Sequence, residues 1–209
     1  MSFINRVFFL ILFVGASQVL SAQAVKGGDV LVEFNGGPSS FGDQYWMSFN
    51  IWNANEFNYN WSIAPSGSIT VMFNRYIGMG LNGEYHQASA DIVDFNGNAQ
   101  RIYMRRIRVS SHFEWEMINE DGLNVYLRTG FGVKRTTLLG ANGAFPQFIG
   151  SDFFPIAFRT AIGVRLWAEK MVSFSIEAGL GGGANFKAGI GLNLNQIVEH
   201  NKYQVAQIR

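Results

Sequence analysis

Beyond residue 28, hydrophobic side chains recur at every second position, which is the period of a β-strand and differs from the helical period of about 3.6 residues. The clearest segment has one largely apolar face, formed by Leu123, Val125, Leu127, Thr129, Phe131 and Val133. Its other face carries polar or small residues, namely Asn124, Tyr126, Arg128, Gly130, Gly132 and Lys134. The same alternation occurs in seven further segments, near 30–34, 57–73, 79–86, 106–117, 156–167, 172–181 and 186–194. The pattern predicts eight strands.

The connections between these segments alternate in length. Short turns are predicted at Asn74–Ile77, Ile118–Gly122 and Ala168–Met171. Longer loops are predicted at 37–56, 88–105 and 135–155. Only Gly182–Asn185 departs from the alternation, because it is short where a long loop is expected. This arrangement is typical of an up-and-down outer-membrane barrel with short periplasmic turns and long outer loops. The predicted fold class is therefore all-β: an eight-stranded antiparallel up-and-down transmembrane β-barrel. Whether residues 44–63 form an extra hairpin stays open.

Alternation alone fits both a membrane barrel and a soluble cup with an apolar interior. Two features favour the membrane barrel. The apolar face carries no Lys, Arg, Asp or Glu at mid-strand positions, where one Arg or Lys at the bilayer midplane would cost about 2–4 kcal/mol. Glycines such as Gly130 and Gly163 lie mainly on the polar face, and the inside of an eight-stranded barrel has room only for closely fitted side chains. The bulky apolar face is therefore predicted to contact lipid.

The polar face then points into a narrow lumen, where it brings basic and acidic side chains together. The predicted charge network consists of Glu33, Glu84, Arg106, Arg108, Glu114, Glu116, Arg128, Lys134, Arg159, Arg165, Glu177 and Lys187. Because an isolated buried charge is very costly, these groups must pair or meet water. We expect a side-chain-filled lumen and no wide channel.

Aromatic residues near the predicted strand ends are candidates for the belts at the two membrane interfaces. They are Phe73, Tyr76, Tyr85, Trp115 and Trp167. The alternative is that the β-propensity of aromatic residues accounts for part of this distribution.

Residues 1–24 have the pattern of a secretory signal peptide. Arg6 precedes the apolar run Val7–Val14, and small residues follow as far as Ala24. The run is shorter than the roughly 18 apolar residues that a spanning helix needs. We expect cleavage after Ala22 or Ala24, a barrel over residues 28–196 and a short periplasmic tail over 197–209. The expected location is the outer membrane of a diderm bacterium.

Composition narrows the function classes. The 209 residues carry a net charge of +1 and contain three His and no Cys. The near-neutral charge excludes a strongly basic nucleic-acid footprint, and the lack of Cys excludes disulfides, Cys-ligated zinc and a thiol nucleophile. His86 beside Glu84 suggests a metal site only weakly, because three His and no Cys make a closed site improbable. We expect no metal and no cofactor.

The chain resembles the small eight-stranded outer-membrane barrels related to OmpX and to the transmembrane domain of OmpA. The stretch from Trp61 to Gln87 carries the likeness, since it reads as a strand, a tight turn and a strand with Gly-x-Gly. The final strand resembles the barrel-assembly signal of such proteins, here Lys187, Gly189, Leu192 and Leu194. The resemblance covers about residues 28–196. It departs from the family where Leu192 and Leu194 replace the usual aromatics and where the chain continues past the strand.

Ser110, His112 and Glu114 share the polar face of one strand and are the residue types of a hydrolase. Some lipid-modifying outer-membrane barrels use a His and a Ser two residues apart, but in the order His-x-Ser. A same-face step along a strand is about 7 Å, which is long for a Ser–His hydrogen bond. The face also points into the lumen, whereas a lipid substrate lies outside. A non-enzymatic protein is therefore expected, and catalysis by these three residues is an alternative.

The long loops are rich in aromatic residues, namely Tyr45, Trp46, Phe49, Trp52, Phe145, Phe148 and Phe153. Exposed aromatics at this density mark contact surfaces; the alternative is that they extend the barrel wall or fold over its mouth. We expect a structural or interaction protein, within a larger outer-membrane assembly. Its expected partners are outer-membrane lipid or lipopolysaccharide and other outer-membrane proteins. A small pore is the further alternative.

Overall fold

The computed structural model describes residues 25–38, 54–60, 62–94, 97, 99–120, 122–140, 155–168 and 171–207. These residues form β1 (Val30–Pro38), β2 (Ala54–Asn60), β3 (Ile63–Met72), β4 (Ile77–Asp94), β5 (Ala99–Glu120), β6 (Leu123–Gly140), β7 (Ile156–Ala168), β8 (Val172–Gly181), β9 (Phe186–Asn193) and a helix, α1 (Leu194–Gln207). The expected signal peptide, residues 1–24, lies outside the described residues.

The strands run up and down in chain order, and β1 closes the sheet by pairing with β9. Because β2 and β3 pair with successive parts of β4, they occupy one position in the wall. The described strands thus form a closed antiparallel wall with eight positions, which confirms the predicted barrel. Closure satisfies the backbone N–H and C=O groups that would otherwise lie open along a sheet edge, as hydrocarbon requires.

The two faces of the wall are chemically opposite. Large apolar side chains face outward and are exposed, among them Ile69, Leu81, Val109, Phe131, Ile162, Ile176 and Ile190. Charged and polar side chains face inward, and Glu114 and Arg165 are fully buried. These positions confirm the predicted orientation of the two faces. Within the described residues, no helix has both the length and the apolar character that a membrane crossing requires.

The lumen changes in character along the barrel axis. At the end where β1 starts and β9 stops, called the base, Val25, Leu31, Met72 and Trp167 form a buried apolar cluster. Charged side chains fill the middle. Toward the opposite end, called the hairpin end because β4 and β5 extend there, the inward side chains are apolar again: Ala88, Ala90, Ile92, Ile102 and Met104. A charged section therefore lies between two apolar sections.

The predicted loop at 88–105 is wrong, because β4 continues to Asp94 and β5 begins at Ala99. Strand β6 likewise continues to Gly140, into the predicted loop at 135–155.

Reversed alternation explains this error. Ala88, Ala90 and Ile92 face inward, whereas Gln87 and Asp91 face outward on the same strand. Where the outer face meets water instead of lipid, polar side chains belong outside and apolar ones inside. A search for outward apolar residues therefore misses the strand.

The predicted continuous alternation over 57–73 is also interrupted. Asn60 pairs with Ser89 and Ser66 pairs with Glu84, so the stretch from Asn60 to Ser66 is one residue longer than the opposing stretch of β4. The extra residue reverses which side chains of the strand point inward, as in a β-bulge. Tyr59 consequently pairs with inward Ala90 and is buried, while Asn58 is exposed. Residues 54–60 therefore continue the barrel wall.

Helix α1 begins at Leu194, so the prediction of a strand through Leu194 is wrong. The backbone N–H of Gln196 donates to Asn193 Oδ1 at 3.4 Å, a contact typical of a helix N-cap. Asn195 Nδ2 donates to the carbonyl oxygen of Gly28 at 2.9 Å. These bonds hold the start of the helix against the base of the barrel, where a short tail was expected.

We expect Leu81→Arg to lower the free energy of unfolding in phospholipid vesicles by about 2–4 kcal/mol. Leu81 faces outward, is 64% exposed and pairs with Ser111 midway along the apolar face, so an arginine there would lie in hydrocarbon. Equilibrium unfolding in guanidinium chloride measures the change. The control is Gln87→Arg, on the same face but above the apolar residues, where the cost should stay below about 1 kcal/mol. Equal losses in both variants would contradict a lipid-facing surface.

Candidate functional site

The centre of the lumen holds three carboxylates around two guanidinium groups. Arg165 donates to Glu33 Oε1 at 3.0 Å, to Glu114 Oε1 at 3.1 Å and to Glu116 Oε1 at 2.7 Å. Arg128 donates to Glu114, with its Nε 2.8 Å from Oε2, and to Glu33 Oε2 at 2.5 Å. These five residues, called the central cluster, come from β1, β5, β6 and β7 and tie opposite walls together.

Tyr126 packs against both arginines of the central cluster. The guanidinium carbons of Arg165 and Arg128 lie 4.4 and 4.9 Å from its ring centroid. A ring face close to a desolvated cation adds an attractive cation–π interaction. The alternation predicted Tyr126 on the polar face, but no sequence signal indicated its contact with the two arginines.

A second group of charges lies closer to the hairpin end. Glu84 binds Arg108 Nη1 at 2.9 Å and also binds Lys187. Glu177 extends the central cluster toward this region, since its carboxylate contacts Arg159 at 2.8 Å and Arg128 at 3.3 Å. Charge-assisted bonds of this kind link every acidic residue of the predicted network to a base.

Arginines also hold the connection between β8 and β9. Arg159 Nη1 donates to the carbonyl oxygens of Gly182 at 3.3 Å and Ala184 at 2.7 Å. A Cβ atom on Gly183 would lie 2.6 Å from Arg108 Nη1 and from the carboxylate of Glu84, and its φ is +98°. Only glycine meets both demands, so the turn closes directly over the charged side chains.

The remaining predicted network residues lie on the same inner face. Arg106 is buried, and its Nε donates to Thr136 Oγ1 at 2.9 Å. Lys134 is half-buried and pairs with Arg108 in the register of β5 and β6. The structure thus places the predicted charged residues on one inner face, where ten of them form two groups of ion pairs.

Trp167 does not belong to an outer aromatic belt, contrary to the expectation. It is 1% exposed, and its indole Nε1–H donates to Asn124 Oδ1 at 2.7 Å. The alternation along its strand placed Trp167 on the inner face. The amide oxygen of Asn124 is the acceptor that a buried indole N–H needs. The other belt candidates, Phe73, Tyr76, Tyr85 and Trp115, are exposed on the outer surface.

The three residues considered for catalysis are buried, but they form no relay. His112 Nε2 lies 2.8 Å from Thr70 Oγ1, and Glu114 is engaged by Arg128 and Arg165. Among the described residues, His112 Nδ1 has no hydrogen-bond partner. His112 and Ser110 line a small cavity of about 20 Å³ together with charged side chains that include Arg128 and Lys187.

The other predicted residues have diverse positions. Gly189 lies so close to β1 that a Cβ atom would overlap Asn35 Oδ1 at 1.8 Å. Leu192 lies in β9 and Leu194 at the start of α1. The aromatic loop candidates between 45 and 52 and between 145 and 153 lie outside the described residues. No group of acidic and His side chains suited to a metal occurs among the residues that the structure describes.

We expect Arg165→Met to lower the free energy of unfolding by about 3–5 kcal/mol, because three carboxylates of the central cluster would lose a shared buried counter-charge. Reversible unfolding in vesicles measures the loss. The control, Arg101→Met, removes an arginine whose ion pair with Asp91 is exposed and should change stability far less. The central cluster would not carry the stability of the lumen if both variants behaved alike.

No protein-family model and no curated protein matches the chain. Among solved structures, it is similar to the outer membrane protein OprG from Pseudomonas aeruginosa, with a TM-score of 0.51, 10% identity and coverage of 82% of this chain and 98% of that chain. A second similar structure is the N-terminal β-barrel domain of OprF from Pseudomonas aeruginosa, with a TM-score of 0.43, 10% identity and coverage of 81% and 99%. The closed wall, its charged lumen and the likeness to OprG give one conclusion: the chain has the fold of the small eight-stranded outer-membrane β-barrels.

Proposed function

We propose that this protein is an integral outer-membrane barrel of a diderm bacterium with a structural or interaction role and no enzymatic activity. The observation that carries the proposal is the combination of an apolar outer surface with a lumen closed by ion pairs. Such a barrel is anchored in the membrane by its wall, and ion pairs fill the described part of its interior. Its outer surface and its two ends are then the surfaces through which it acts. The expected partners are outer-membrane lipid and other outer-membrane proteins.

The dimensions of the apolar surface support membrane insertion. On β5, exposed apolar side chains run from Ile107 to Met117, and a tilted strand needs about 9–11 residues to cross the hydrocarbon. Trp115 and Tyr76 lie near one end of this band and Tyr85 lies at the other, as interfacial aromatics do. The signal-peptide pattern over residues 1–24 supports export of the chain.

The lumen speaks against a pore. Arg128 and Arg165 reach across it to carboxylates on other strands, and the base is filled by an apolar cluster that includes Trp167. Ions would have to separate buried pairs and pass uncharged side chains, both at a high free-energy cost.

The geometry around His112 speaks against catalysis. Its Nε2 is engaged by Thr70, and the acidic residue on the same strand, Glu114, neutralises two arginines. A hydrolase needs a base that contacts its nucleophile and is oriented by a third group. These side chains also lie inside the wall, whereas the acyl chains of a lipid substrate would lie outside it.

The aromatic residues of the loops at 39–53 and 141–154 provide the test of an interaction role. We expect outer-membrane proteins that crosslink to the barrel in native membranes to be lost when Tyr45, Trp46, Phe49, Trp52, Phe145, Phe148 and Phe153 are replaced by Ser. Mass spectrometry of the crosslinked complexes gives the readout, and heat-dependent gel mobility confirms folding. The control replaces an equal number of polar residues in the same loops by Ala. Unchanged crosslinks in the aromatic variant would contradict recognition by these loops.

We also expect the purified full-length barrel to produce no conductance steps in planar bilayers, because buried ion pairs fill its lumen. The amount of folded protein in the same bilayers is measured in parallel, so that a lack of conductance steps reflects a closed barrel and not a lack of insertion. Sustained steps that depend on the amount of inserted protein would contradict the closed lumen and would favour the pore.

A further inference from the structure

The outer face of the wall changes from apolar to polar along one row of β4, β5 and β6. Tyr85 and Ile107 are cross-strand partners at the upper limit of the apolar band, and the next outward pair is Gln87 with Arg105. On β6, outward Val133 is followed by Arg135. This row marks the level at which the wall leaves the hydrocarbon at the hairpin end.

Two arginines lie side by side at this level. Arg105 pairs with Thr137, and Arg135 pairs with Ile107, so Arg105 and Arg135 are diagonal neighbours on the outer face. Diagonal neighbours are about 7–8 Å apart, within reach of long side chains. Both side chains are exposed, and one anionic group can contact both.

No acidic residue among those the structure describes neutralises either arginine. Within the described part of the chain, no carboxylate forms an ion pair with Arg105 or Arg135. Arg101, further along β5, differs because Asp91 binds it at 2.6 Å. The hydrogen bonds from Arg101 and Asn60 hold the pKa of Asp91 below its usual range, so that carboxylate stays ionised and committed to Arg101.

The surroundings of the pair suit a phosphate group. Guanidinium groups bind phosphate through two parallel hydrogen bonds, and the hydroxyl group of Thr137 and the amide group of Gln87 can add further bonds on the same face. Adjacent like charges on one face repel each other. A bound anion would relieve that repulsion and connect β5 to β6 at the membrane surface.

The level of the pair identifies the source of the phosphate. The hairpin end is opposite the base, where both chain ends of the wall and the short turns lie, so it faces the outer leaflet in the proposed orientation. Basic residues at a membrane surface attract anionic lipid headgroups. The phosphates of an outer-leaflet lipid lie immediately above its acyl chains, at the row where the wall turns polar.

We propose that Arg105 and Arg135 form a binding site for the phosphate groups of lipopolysaccharide in the outer leaflet. The site rests on the proposed function, since the pair meets this lipid only if the barrel spans the outer membrane with its hairpin end outside. It specifies the lipid partner and sets the height of the barrel relative to the leaflet.

The test uses the full-length folded protein in phosphatidylcholine vesicles that contain bisphosphorylated lipid A or the same lipid A after removal of its phosphates. Native mass spectrometry counts the lipid A molecules bound per barrel, and titration yields the apparent Kd. We expect a preference for the phosphorylated form, with about a fivefold contribution from each arginine. Arg105→Gln with Arg135→Gln should abolish the preference, whereas Arg75→Gln, an exposed arginine in the turn at the base, should retain it.

Three results would overturn the site: wild-type protein without a preference, an equal loss in Arg75→Gln, or complete displacement of lipid A by inorganic phosphate, which would indicate a free-anion site. Each leaves the membrane proposal intact as long as the barrel is folded in the vesicles, which heat-dependent gel mobility reports. A mature chain that stays dissolved without detergent would instead overturn the proposed function itself.

Discussion

A charge that is removed from water needs an opposite charge beside it, and this requirement governs the inside of the barrel. Eight strands enclose a space that side chains fill almost completely, so Glu33, Glu114 and Glu116 cannot rely on bulk water. Arg128 and Arg165 meet them with several short hydrogen bonds each. Because the partners come from different strands, the ion pairs also fix which walls face one another. The same requirement keeps charges off the outer apolar band.

In the proposed function, a filled lumen leaves binding to the outer surface of the barrel. Among the described residues, Trp167 and its apolar neighbours fill the base and ion pairs cross the middle of the lumen. The outer face of the described strands stays accessible. On that wall, Arg105 and Arg135 differ from the lumen arginines because no acidic residue in the described part of the chain forms an ion pair with them. The same residue type therefore stabilises the fold when it is buried and paired, and is available to a ligand when it is exposed and unpaired.

Sequence pattern alone predicted the fold where one environment persists along a strand. Outward apolar residues alternate with inward polar ones from Ile107 to Met117 on β5 and along β7 to β9, so the alternation was sufficient there. It failed where the environment changes, as at Ala88–Ile92, where the outer face leaves lipid, and at Tyr59, where one extra residue shifts the facing. Which acid meets which base was not predictable either. Arg165 and Glu33 are 132 residues apart, and their contact depends on closure between β1 and β9.

The most direct test of the account measures what each side of one strand contacts. Because the chain contains no Cys, single cysteines at successive positions from Ile107 to Glu116 on β5 can carry a fluorophore without background labelling. The account predicts quenching by lipids with spin-labelled acyl chains at every second position, at Ile107, Val109, Ser111, Phe113 and Trp115. It predicts no quenching at the inward positions between them. Quenching without a period of two, or strongest at the inward positions, would contradict a lipid-facing apolar wall around a sealed charged lumen.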